Sequence, residues 1–191
     1  MAGPRERMVA SAALLIRERG AHPTAIADVL AHSGAPRGSA YHYFPGGRTQ
    51  LLCEAIDYAG DYVVSRLAKA DSAAALLDGL IAMYRKQLLS SGFRAGCPVV
   101  AVAVEAGDPQ QAEAPDPVLE RAGAAFTRWA ALIADRLRGD GADPDRADQL
   151  AMLILSAIEG AIVVARATRD VTPLDQIHGQ LRELLPEGTS S

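Results

Sequence analysis

The chain has 191 residues, of which 49% are hydrophobic but only 5% aromatic, with a formal net charge of −4 and two cysteines. Two cysteines, Cys53 and Cys97, outside any CxxC pair exclude a disulfide framework. The apolar content is enough for a substantial core of Ala, Leu, Val and Ile, in one large domain or two small ones. Long strand patterns are absent, which predicts an all-α fold.

In chain order, Met8, Ala12, Leu15 and Ile16 fall at i, i+4, i+7 and i+8 and predict a first helix over 5–19, ended by Gly20. The Arg and Glu residues scattered through Met1–Gly20 do not resemble a signal peptide. Thr24 reads as an N-cap for a second helix with Ile26, Ala27 and Leu30 on its apolar stripe. Gly34 supplies a tight turn, and a third short helix is expected from about Pro36 to the stop at Phe44-Pro45-Gly46-Gly47. Two short helices around a glycine turn form a helix-turn-helix. The second of them crowds basic, hydroxyl and aromatic groups onto two turns, a pattern suited to phosphates and base edges.

The charge distribution agrees. Residues 1–50 hold six arginines against Glu6, Glu18 and Asp28, whereas the remainder holds thirteen basic and twenty acidic residues. A basic head on an acidic body steers one end of the molecule toward a polyanion. Arg37, Gly38 and Ser39 sit where recognition helices reach bases, and Arg37 is suited to a bidentate guanine contact. Thr24, Tyr41, His42, Tyr43 and Arg48 are expected on phosphates, with packing inside the head the alternative for Tyr41; Phe44 is expected in the core.

A fourth helix is expected from about Arg48 to Lys69, with Leu51, Leu52, Ala55, Tyr58, Tyr62 and Leu67 on its apolar face. A fifth over 72–90 is capped by Ser72, and a short sixth spans 97–105. Gly107–Asp116, with Pro109 and Pro115, reads as a mobile loop. Helices over 117–138 and 143–169 follow, then a last one from Thr172-Pro173 to Leu185, with 187–191 fraying. The run Leu150–Ala165 is sixteen residues with Glu159 inside, short of the roughly 20 that span a bilayer, so no membrane partner is expected and the protein is expected to be cytoplasmic. Catalytic fingerprints, metal-ligand spacing and cofactor motifs are absent, which predicts a non-enzyme without metal or cofactor.

The segment Gly-Ala-Pro-Arg-Gly-Ser-Ala-Tyr-His-Tyr-Phe-Pro-Gly-Gly-Arg, residues 34–48, resembles the recognition helix of TetR-family transcriptional regulators, departing at Ala35, Pro36 and Ala40. The Phe-Pro-Gly-Gly turn, Gly96-Cys97-Pro98 and Val104-Glu105 are similar to the multidrug-resistance-type repressors of that family.

The resemblance implies about nine helices, a helix-turn-helix domain over 1–47 and a ligand-binding and dimerisation domain over 48–191. It implies a homodimeric repressor on a near-palindromic double-stranded DNA operator, released by a small hydrophobic effector. Activators, ligand-independent DNA binders, and a helical small-molecule-binding protein or enzyme with an incidental basic head are the alternatives. Tyr58, Tyr62, Met83, Tyr84, Phe93, Cys97, Phe126 and Trp129 would line the effector cavity, with Glu105 as polar anchor. Leu155, Ile158, Glu159, Ala161, Ile162 and Leu181, on helices eight and nine, would form the dimer seam. A helix apolar all round must be covered on every side.

Overall fold

The computed structural model describes residues 3–105 and 116–186, which form nine helices and no strand. The expected loop 107–116 and the tail 187–191 lie outside the described residues, except for Asp116. The helices are α1 (Pro4–Arg19), α2 (Ile26–Ser33), α3 (Ser39–Tyr43), α4 (Gly47–Leu67), α5 (Ala73–Ser90), α6 (Pro98–Ala103), α7 (Pro117–Gly139), α8 (Pro144–Thr168) and α9 (Thr172–Glu183). Two compact units share this chain: Met1–Asp61 with Cys97–Ala125, and Tyr62–Gly96 with Phe126–Ser191.

The first unit is organised on α1, against which α2, α3 and α6 pack. Pro4 opens α1, where a missing N–H is harmless, and Glu6 turns back to accept the Gly3 N–H at 2.9 Å. Met8, Ala12 and Ile16 are fully buried, while Leu15 is only half-buried and Ala13 and Val9 take inward positions beside them. The apolar stripe of α2 differs from the expected one. Val29 is its buried residue, Ile26 and Leu30 flank it, and Ala27 faces solvent. Phe44, Leu51, Leu52, Ala55, Ile56, Val99 and Val102 complete the core of this unit, so Phe44 is core as expected.

The second unit packs α5, α8 and α9 on one another. Ser72 caps α5 by accepting the Ala75 N–H at 3.1 Å, and Asp143 caps α8 by accepting from Asp145 and Arg146. Polar contacts fasten α9 to α5: Arg182 pairs with Asp78 at 2.6 Å, His178 Nε2 lies within hydrogen-bond distance of the same carboxylate at 2.7 Å, and Arg85 pairs with Asp175. The buried face of α8 carries Leu150, Ile154, Leu155, Ile158, Ala161, Ile162 and Ala165. Leu155, Ile158, Glu159, Ala161, Ile162 and Leu181, expected at a dimer seam, are buried within one chain. The other face of α8 exposes Met152, Leu153, Val163 and Val164. By length and apolarity alone α8 would suffice to cross a membrane; half of its most apolar window is buried in the fold.

Candidate nucleic-acid interface and ligand cavity

The helix-turn-helix turns at Gly34, whose φ of 65° is the left-handed conformation that glycine adopts without strain. The third helix starts three residues later than Pro36. Residues 36–39 form a turn closed by the Ser39 N–H on the Pro36 carbonyl at 2.9 Å, and α3 is a single helical turn and a half. The Ser39 hydroxyl also donates to Pro36, at 2.6 Å. Ala40 and Phe44 anchor α3 to the core, and the Arg5 guanidinium lies 5.4 Å above the Phe44 ring.

That anchoring turns the polar residues outward. Arg37, Gly38, Tyr41 (74% exposed) and His42 face solvent, and Ser39 and Tyr43 are half-exposed, with the His42 and Tyr43 rings edge to face. Arg37 has no acidic partner among the described residues. A solvated guanidinium at the front of a short helix, flanked by hydroxyl, imidazole and phenol, can meet base edges and phosphates without breaking an internal contact.

Two expected phosphate contacts are internal instead. Thr24 is 1% exposed, and its hydroxyl donates to the Gly20 carbonyl at 2.7 Å. It does not cap α2: the N-cap position is Ala25, whose N–H is taken by Asp28 at 3.2 Å. Arg48 points into the turn before α2 and donates to the carbonyls of Thr24 at 2.9 Å, His22 at 2.9 Å and Ala21. A guanidinium donates as well to backbone carbonyls as to phosphate, and sequence alone does not separate the two.

The second unit encloses a small cavity lined by Val63, Leu67, Leu80, Tyr84, Trp129, Ile133, Leu155, Ile158 and Glu159. It offers about 10 Å³, room for about one water. Of the residues expected to hold a ligand, it brings together Tyr84 and Trp129. Tyr58 and Tyr62 are 48% and 44% exposed, and Tyr62 instead accepts from Arg66, which stacks on its ring. Met83 and Phe93 are half-buried and do not line it; Phe126 stands edge to face against Trp129, with centroids 5.6 Å apart.

Cys97 and Glu105 belong to the other unit. Cys97 is a buried residue at the start of α6, and the Glu105 carboxylate accepts the His22 N–H. The carboxylate in the cavity is Glu159, 8% exposed, with the Tyr84 hydroxyl 3.5 Å from Oε1. Glu105 and Glu159 each interrupt an apolar run in the sequence; Glu105 was the expected anchor and Glu159 an expected seam residue, whereas it is Glu159 that lines this cavity. The Gly96-Cys97-Pro98 motif has a packing reason. A Cβ at Gly96 would lie 2.8 Å from Arg166 Cδ, the Gly96 carbonyl takes the Gln87 side chain at 2.7 Å, and Pro98 opens α6.

No group of three or more His, Cys, Asp or Glu side chains able to hold a metal occurs among the described residues. Residues 9–55 match the bacterial regulatory proteins of the tetR family, and residues 73–180 match the C-terminal domain of LmrA/YxaF-like transcriptional regulators. An uncharacterized HTH-type transcriptional regulator of Mycobacterium tuberculosis is 65% identical over 97% of this chain and 95% of its own. The HTH-type transcriptional regulator LmrA of Bacillus subtilis is 29% identical over 95% of this chain and 96% of its own. Among solved structures, a TetR transcriptional regulator from Legionella pneumophila superposes with a TM-score of 0.82 over 97% of this chain and 98% of that one, at 20% identity, which speaks to the fold. With both halves matched and a relative this similar along nearly its whole length, the chain belongs to the TetR family: it is a helix-turn-helix, DNA-binding transcriptional regulator and not an enzyme.

Proposed function

We propose that this chain is a homodimeric repressor whose two heads read the half-sites of a near-palindromic operator, and that a small hydrophobic effector releases it. The observation that carries this reading is the outward face of α3 and the turn before it, where Arg37, Gly38, Tyr41 and His42 are exposed on a basic head while Ala40 and Phe44 hold the helix to the core. Arg37 and Ser39 address bases, and Tyr41, His42 and Tyr43 address phosphates. In functional terms residues 1–47 are the reading head and 48–191 the effector and dimer body, and the protein works in the cytoplasm. The Gly96-Cys97-Pro98 segment supports the multidrug-resistance-type branch.

The effector site is the cavity beside Tyr84, Trp129 and Glu159. Pockets for drug-sized molecules hold roughly 300–1,000 Å³, far above the space present here. An effector must therefore push these side chains apart, and that expansion is what lets it bind one conformation better than another. The dimer seam is the exposed face of α8, Met152, Leu153, Val163 and Val164 with Ser156 and Gly160 between them, laid against the same face of a second copy. Gly160 supports this: a Cβ there meets nothing within 4 Å in its own chain, so the packing of one chain gives no reason for a helix-weakening glycine.

Gel retardation on DNA flanking its own gene tests the reading. Sequence-specific retention that a hydrophobic compound abolishes supports it; specific binding indifferent to every compound removes the effector, and salt-sensitive binding without sequence preference removes the regulator.

A further inference from the structure

The turn that enters the helix-turn-helix, residues 20–24, is held by two side chains from distant parts of the chain. Arg48, on α4, donates to the carbonyls of Ala21, His22 and Thr24. Glu105, two residues beyond the end of α6, accepts the His22 N–H with both carboxylate oxygens, at 2.9 Å to Oε2 and 3.2 Å to Oε1. Both backbone groups of His22 are thus bonded to charged side chains, which make stronger hydrogen bonds than neutral ones.

The fit is close. A Cβ on Gly20 would lie 2.0 Å from Glu105 Oε1, and Gly20 holds a φ of 94°. Position 20 therefore admits only glycine while the carboxylate is in place. Thr24 closes the turn on itself through the Gly20 carbonyl, and α2 begins two residues later at Ile26. The pose of this turn sets the direction of α2 and, past Gly34, of the Arg37 face. Glu105 is separated from His22 by 83 residues and lies outside the matched helix-turn-helix segment 9–55. Its place follows α6, which packs along α1 in the same unit.

We propose that Glu105 is a positioning residue for operator recognition: its carboxylate fixes the His22 amide, and through it the pose of α2 and α3, so that the end of α6 sets how well the head fits its operator. This rests on the DNA-binding reading above. The test compares Glu105→Ala, Glu105→Gln and Gly20→Ala with the parent protein. It uses a duplex recovered by selection with the parent and a scrambled duplex of the same length, with amide exchange at His22 read by NMR.

Glu105→Ala should weaken the selected duplex about threefold to tenfold, leave the scrambled duplex within about twofold, and speed exchange at His22. Glu105→Gln keeps an acceptor oxygen and should stay within about twofold of the parent on both duplexes. Gly20→Ala, which drives the carboxylate away, should behave like Glu105→Ala. Equal losses on both duplexes, or an unchanged His22 amide in Glu105→Ala, would overturn the proposal. A parent protein that does not prefer its selected duplex would sink the DNA-recognition reading instead, while the exchange comparison still decides whether Glu105 holds the turn.

Discussion

Gly160→Arg distinguishes the two faces of α8. Within one chain position 160 is exposed and a Cβ meets open space, so the substitution exchanges a glycine in mid-helix for a good helix former, a gain of about 0.5–1 kcal/mol. Around it Met152, Leu153, Val163 and Val164 are each about half exposed. Full burial of such a side chain is worth about 1.5–3 kcal/mol, so covering the exposed half of four contributes about 3–6 kcal/mol per protomer, doubled by two-fold symmetry. An arginine from each protomer inside that seam would be a buried cation without a partner, at a cost of several kcal/mol apiece. Even about 4 kcal/mol raises the dimer dissociation constant roughly a thousandfold. Sedimentation velocity and thermal unfolding read both effects. The variant should run at the monomer mass of 20.1 kDa, where the parent runs at twice that, and should lose operator binding, while its helix content is kept. A variant that remains dimeric and binds DNA would put the seam on another face. Ala161→Arg does not make this test, because Ala161 is 5% exposed inside its own chain and the substitution would disrupt the core.

Further outcomes follow from the same geometry. Arg37→Ala should cost about 1–3 kcal/mol of operator binding and relax base preference at one position per half-site; an unchanged preference in binding-site selection would show that Arg37 meets only phosphate. An effector entering beside Trp129 should change its fluorescence saturably over the range that releases DNA, and operator should weaken effector binding by the factor that effector weakens operator binding. Trp129→Phe should then lose the signal while keeping the release, and release without any change in Trp129 emission would move the pocket elsewhere. The hydrogen bond from Arg182, aided by His178, holds the Asp78 carboxyl below its ordinary range. A depressed carboxylate stabilises the fold above its unfolded pKa and loses that contribution as pH falls through the folded value. Asp78→Asn should therefore flatten stability against pH below about 4 and leave the neutral-to-alkaline side parallel to the parent; an identical acid limb would show that the α5–α9 ion pairs add nothing.

Helix boundaries were legible wherever local chemistry sets them. Gly20 and Gly34 end α1 and α2, Ser72 caps α5, and Pro117 and Pro144 open α7 and α8, each through backbone groups within a few residues. The outward face of the reading head was legible for a related reason, since Ala40 and Phe44 are the apolar residues of a segment too short to bury more.

What a side chain meets across space was less so. Arg48 looked like a phosphate contact because nothing near it in sequence reveals three carbonyls turned toward α4. Tyr58 and Tyr62 fit a helical stripe, but α4 is 21 residues long and its buried apolar side chains are Leu51, Leu52, Ala55, Ile56, Val63 and Leu67, with the tyrosines to one side. The apolar run of α8 implied cover on more than one side, and a single chain supplies it on one. It did not show which side the chain covers itself, and the residues expected at the seam fall on that side.

The central claim is that the α3 face reads DNA in a two-fold arrangement. Selection from a random duplex pool with the intact protein tests it most directly. The account predicts an enriched motif with two inverted half-sites, their centres about one helical turn of DNA apart or slightly more. A pool with no enriched motif, or a single asymmetric site bound by one chain, would contradict it.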